Sequence, residues 1–103
     1  MTAATLDVLR ELLHAGTEPV WGLRIVKGTG RPSGSVYPIL ERLQRAGWIT
    51  SRWEEDPARS GPRRRLYLLT ADGAVAAAEA VAAADRPRVR SAPRLPRREL
   101  GTA

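Results

Sequence analysis

Helical periodicity opens this chain, a strand period follows, and a helical one returns. Leu6, Leu9 and Leu13 recur at i, i+3 and i+7, with Val8 and Leu12 widening the stripe. That spacing predicts a first helix over 6–15, closed by Gly16. Thr17 is placed to cap a second helix, with Glu18 and Pro19 in its first turn and Trp21, Ile25 and Val26 on its apolar side. Gly28-Thr29-Gly30 ends it in a turn. Ser33 is then expected to cap a third helix, whose apolar face carries Val36, Ile39, Leu40, Leu43 and Ala46. Gly34, Pro38, Glu41 and Arg45 point the other way, flanked by Tyr37 and Arg42, and Gly47 supplies the stop.

Period two takes over at Ile49, Ser51 and Trp53, which alternate with Thr50, Arg52 and Glu54. Leu66 and Leu68 alternate with Tyr67 and Leu69, so Tyr67 is expected on the face opposite Leu66 and Leu68, toward the wing or bound DNA. The polar segment 56–62, rich in Pro and Gly, makes this a hairpin with a long tip. Thr70 caps a fourth, mostly alanine helix that runs to about Asp85 and stops at Pro87. The fold class is therefore mainly α with a small β-hairpin. The order is helix, helix, tight turn, helix, hairpin, helix: a winged helix-turn-helix. Residues 1–86 form the domain, and 87–103 form a basic Pro/Arg-rich tail expected to be disordered.

Charge changes the picture less than its total suggests. The 103 residues carry a formal net charge of +6, of which residues 86–103 contribute +5 and the rest +1. The whole-chain charge thus reports the tail. The basic residues are nearly all Arg, which an Ala-rich, GC-biased coding sequence accounts for without any selection for phosphate. The absence of Cys excludes disulfides, thiolate ligands and Cys nucleophiles. His14 is the single His and reads as a surface residue. The Glu54-Glu55-Asp56 cluster alternates in direction along a strand end and makes a poor cation site. No metal, cofactor or catalytic residue is expected, and the chain does not read as an enzyme. Nor does any stretch approach the ~20 apolar residues of a membrane span. With no signal peptide expected either, a cytoplasmic location follows.

The third helix carries the candidate chemistry. A helix fits the DNA major groove. Pro38 has no N–H for the Gly34 carbonyl, and its place near the helix start limits the cost. Together with the short side chains of Ser33, Gly34 and Ser35 it lets this helix end approach bases or phosphate closely. Arg31 and Tyr37 are phosphate candidates, while Arg42 and Arg45 lie farther along, toward backbone. Glu41 either accepts from a cytosine amine or pairs with Arg45 at i+4. Arg63, Arg64 and Arg65 open the second strand, with Arg59 on the same loop. Alternation sends Arg64 to one face and Arg63 and Arg65 to the other, so one or two should reach phosphate. Trp21, Trp48 and Trp53 read first as packing residues.

The run SGSVYPILERLQRAGWI, then RWEED, then GPRRRLYLLTADG, closely resembles the PadR family of winged helix-turn-helix transcription regulators over roughly residues 5–80. Tyr37-Pro38, Gly47, Trp53-Glu54 and Leu69-Thr70 followed by Gly73 carry the likeness. The resemblance implies a dimeric repressor of double-stranded DNA, with Ser33, Ser35, Tyr37 and Pro38 on the DNA-facing helix and Arg63–Arg65 on the wing. Two such heads imply palindromic half-sites about 34–36 Å apart. It also implies a homodimer through the first and last helices and, for some members, release by a small aromatic effector. The chain departs from the pattern where Trp21-Gly22-Leu23 replaces a His-Gly-Tyr-like run, and where the last helix is short and Ala-rich. Leu6, Leu9 and Leu13 with Val75, Ala78 and Val81 would then carry a weak, DNA-assisted dimer. A candidate effector pocket would form between subunits, around Trp21 or Trp53. The alternative is a winged-helix protein-interaction module without specific DNA binding, and the tail segment 93–97 resembles a polyproline-type ligand.

Overall fold

A computed structural model describes residues 1–55, 61 and 63–86. Helix α1 spans Ala3–Ala15, one turn earlier than the apolar stripe begins, because the Thr2 hydroxyl accepts from the Thr5 N–H at 3.1 Å and caps it. Val8, Leu9 and Leu12 are buried among the other elements of the same chain. Leu9 is 0% exposed, so it does not belong to a dimer face; the stripe is wide enough that part of it fills this chain's own core.

The second helix begins later than expected. Val20–Trp21 form a short strand, β1, and helix α2 spans Gly22–Thr29. Thr17 therefore caps nothing, and Glu18 sits in a turn with its N–H on the Ala15 carbonyl at 3.1 Å. Sheet pairing and burial of Val20 outweigh the local capping signal. Gly30, at φ +70°, closes α2 in the left-handed conformation, with its N–H on the Val26 and Lys27 carbonyls.

Helix α3 spans Ser33–Arg45 and runs unbroken through Pro38. Pro32, not Ser33, is the capping residue: its extended backbone presents a carbonyl to the N–H groups of Ser35 at 2.9 Å and Val36 at 3.1 Å. Val36, Ile39, Leu40 and Leu43 are buried as the periodicity predicts. Ala46 is not; the helix ends there, and its side chain is exposed.

Strands β2 (Ile49–Trp53) and β3 (Arg65–Leu69) pair antiparallel, with Ile49 opposite Leu69 and Trp53 opposite Arg65. β1 joins the other edge of β3, so the sheet has three strands in the order β1-β3-β2 rather than two. This register keeps Tyr67 on the face opposite Leu66 and Leu68, but turns that face inward rather than to the wing or DNA. Tyr67 lies opposite both Val20 and Ser51 and is buried in the core, 8% exposed. Leu66 and Leu68 take the other face and stay half-buried.

Helix α4 spans Ala71–Ala84 and packs on α1 through Ala77, with Ala80 and Val81 partly buried beside it. Thr70 does three things at its start. Its hydroxyl accepts from the Gly73 N–H at 2.9 Å, capping the helix, and donates to the Gly47 carbonyl at 2.8 Å. Its own N–H donates to the Trp48 carbonyl at 2.9 Å. A side chain at Gly73 would collide with that Trp48 carbonyl, which is why the Leu69-Thr70 pair is followed by glycine three residues on. Among the described residues no helix is long and apolar enough to cross a membrane. The expected tail, 87–103, and most of the hairpin tip, Arg59 included, lie outside the described residues.

This knot predicts a stability ranking. Gly73→Ala should lower stability by about 1–3 kcal/mol through overpacking against backbone, and Thr70→Ala by about 1–2 kcal/mol through the lost cap. Urea unfolding followed by circular dichroism measures both.

Candidate nucleic-acid interface

With one face of α3 committed to the core, the other is left whole. Ser33, Gly34, Ser35, Tyr37, Pro38, Glu41, Arg42 and Arg45 are all exposed on it. At the N-terminal end it is nearly flat, because the side chains are small or, at Pro38, folded back on the backbone. Farther along, Arg45 donates to Glu41 at 3.2 Å, an i,i+4 pair open to water on both sides. That pair occupies the carboxylate and tempers its repulsion of an anion.

Arg31 is placed differently from expectation. Its Nε donates to the Asp7 carboxylate at 2.9 Å, tying the α2–α3 turn to α1. Asp7 also accepts from Arg10 at 3.0 Å, and Arg10 reaches Asp85 at the end of α4 at 2.7 Å. Arg31 thus serves first as a strut between elements.

The three wing arginines divide as alternation predicts, and each guanidinium ends on an aromatic ring. Arg65, directly opposite Trp53 in the ladder, lies 4.9 Å from the Trp53 ring centre, and Arg63 lies 5.9 Å from it. Arg64 turns to the other face and stacks 3.9 Å from the Trp21 ring. Its Nε is buried without a hydrogen-bond partner, so Arg64 is committed to this packing rather than to solvent. A 640 Å³ cavity opens here, lined by Glu11, His14, Trp21, Arg24, Arg64 and Leu66 among others. Of the two tryptophans expected at an effector pocket, Trp21 lines this cavity and Trp53 does not. A second, mostly apolar cavity of 350 Å³ lies among Leu13, Gly16, Leu68, Leu69, Thr70 and Ala74.

A link between α3 and the wing was not foreseen. A side chain at Gly22 would meet the Tyr37 ring at 2.9 Å and the Tyr67 ring at 3.2 Å, so both rings pack on this glycine. Arg65 in turn acts electrostatically on Tyr67. Trp53, Arg65 and Tyr67 thus share one face of the sheet, and Tyr67 packs with Tyr37 of α3 on Gly22. Arg63 lies on that face with them, and Arg64 lies on the opposite one. The glycine beside Trp21 was the available signal. Among the described residues no cluster of carboxylates or imidazoles could hold a metal ion.

The exposed helix, the three-stranded sheet and the basic wing are the parts of a winged helix, and the model of the transcriptional regulator PadR-like family matches residues 12–79. The chain belongs to that family. Its PadR-like segment runs from the last turn of α1 into α4 and contains the whole helix-turn-helix and wing. The family is one of transcriptional regulators rather than of enzymes. A crystal structure of a protein from Ralstonia eutropha JMP134 superposes with a TM-score of 0.62 at 28% identity, over 78% of this chain and 96% of that one. A PadR-like transcription factor from Bacteroides fragilis gives 0.60 at 24% identity, covering 86% of each chain. MarR from E. coli gives 0.63 at 24% identity, over 77% of this PadR-like chain and 54% of MarR, and shares the fold. No curated protein is significantly similar in sequence.

Burial raises the Tyr67 hydroxyl above its ordinary pKa, opposed by Arg65 and reinforced weakly by Tyr37. The folded state therefore holds this proton more tightly than the unfolded chain does. The associated stability is complete below the unfolded tyrosine pKa of about 10 and is lost as pH rises through the folded value. Tyr67→Phe should flatten the fall in urea midpoint between about pH 9 and about pH 11. Ultraviolet titration of Tyr37→Phe should show Tyr67 ionising late.

Proposed function

We propose that this PadR-like chain is a dimeric repressor that places α3 in the major groove of double-stranded DNA and rests the Arg63/Arg65 side of the wing on the adjoining backbone. The observation that carries this reading is the placement of the two surfaces: Tyr37 on the exposed face of α3 packs on Gly22 together with Tyr67, and Tyr67 shares its strand face with Arg63 and Arg65. Ser33, Gly34, Ser35 and Pro38 form the part that reaches base edges, because nothing bulky holds the helix off. Arg42 and Arg45 follow the groove outward to phosphate. Arg31 keeps its terminal nitrogens for phosphate only while Asp7 holds its Nε.

For the homodimer, Leu6, Leu13, Val75, Ala78 and Val81 remain the proposed contacts, without Leu9. Val75 is 61% exposed on α4, and such an apolar side chain gains from a covering partner. For an effector, the cavity beside Trp21 is the better of the two positions considered. Its 640 Å³ falls in the range of about 300–1,000 Å³ typical of small-molecule sites. A small aromatic molecule would meet the Trp21–Arg64 stack there.

The test is fluorescence anisotropy with the DNA upstream of the chain's own gene against scrambled DNA at about 150 mM salt, with complex mass measured in parallel. A preference of about 10³-fold or more, at two protomers per site, is expected. Equal affinity for both DNAs, across a genome-derived pool as well, would replace this reading with a protein-binding winged helix. Ser35→Ala should re-rank preferred sites by about 1–3 kcal/mol. Arg42→Ala should weaken all sites alike.

A further inference from the structure

We propose that Trp53 is a positioning residue, which holds Arg63 and Arg65 as a preformed two-pronged phosphate clamp, while Arg64 is a fixed strut against Trp21 that takes no part in DNA contact. The inference rests on the DNA-binding reading above and assigns its wing.

The geometry at Trp53 is the first argument. Its ring is 48% exposed, an unusual outlay of apolar surface at the open edge of a small sheet. Both guanidinium groups on this face are drawn to it, at 4.9 and 5.9 Å from the ring centre. Stacking on a ring uses the face of a guanidinium and leaves its N–H edge free, and that edge is what grips phosphate. Arg63 adds a long 3.5 Å contact from its Nε to the Glu54 carbonyl, which steers the group and leaves its terminal nitrogens open. Two long side chains that would otherwise sample many rotamers are thereby presented together, so less order is lost when an anion arrives.

Charge is the second argument. Two cations sharing one ring repel each other, and the arrangement gains most when an anion lies against both. Phosphates along a DNA strand supply that charge at close spacing. The third is direction. Arg63 and Arg65 share the strand face of Tyr67, whose ring packs with that of Tyr37 of α3 on Gly22. Arg64 differs on two counts: it faces the other side of the sheet, toward Trp21, and its Nε is buried.

The experiment compares the parent with W53F, W53L, R63A/R65A and R64A, in the full chain. Affinity for a fixed duplex is read by anisotropy across a salt series, and thermal midpoints are taken for every variant. R63A/R65A should flatten the plot of log affinity against log salt by about 1.8, at about 0.9 per phosphate contact. W53L should weaken binding about five- to tenfold and flatten that plot partway, whereas W53F keeps most of the affinity. R64A should lower the thermal midpoint and leave the salt slope at the parent value. Parent-like affinity and slope in W53L would overturn the positioning role. A slope loss of about 0.9 in R64A, that of one phosphate contact, would overturn the division of labour. A parent that binds no duplex would remove the DNA-binding reading itself and this proposal with it.

Discussion

Strand β3 is paired on both edges, and its alternation decides where the chemistry of this protein can be. Residues opposite β1 on one side and β2 on the other cannot slip by one position without exposing Tyr67 and burying Arg64 and Leu66 fully. The register thus sends Leu69, Tyr67, Arg65 and Arg63 toward the helices and α3. It sends Leu68, Leu66 and Arg64 the other way. A run of three arginines that looks uniform in sequence becomes two surfaces, one gathered on Trp53 and one closing a cavity beside Trp21.

That strand also positions α3. Thr70 leaves β3 and bonds at once to Gly47 and Trp48 in the turn after α3, with Gly73 admitting the close approach. The other end of α3 is held by Tyr37 on Gly22 and by Arg31 on Asp7. A helix fixed at both ends has no need of its outer face for stability. Small residues and Pro38 can stand there at a cost the buried Val36, Ile39, Leu40 and Leu43 offset.

The helices were readable because their apolar positions repeat over several turns, and Thr70 was readable as a cap because the alanine run follows it directly. Strand β1 was hidden: two residues make no period, and Thr17 offers a plausible but unused cap. Tyr67 was misplaced because Leu66, Leu68 and Leu69 around it are all apolar, so alternation alone cannot say which face is buried; pairing with Val20 decides it. Leu9 was assigned to a partner because a wide stripe does not reveal which side meets this chain's own core. At the site, the exposed face of α3 and the split of the arginines followed from period. The Asp7–Arg31 pair and the Trp21 and Trp53 stacks did not, because they join residues far apart in sequence or depend on register.

The claim that one continuous face of this molecule meets DNA is tested most directly by nuclear magnetic resonance of the ¹⁵N-labelled chain as a duplex is added stepwise. The account predicts shifts at the amides of Ser33, Ser35, Tyr37 and Arg42, at Arg63 and Arg65, and at the Trp53 indole, with the Trp21 indole unmoved. Shifts centred instead on Trp21, Arg64 and the Glu11–His14 side of the cavity would contradict it.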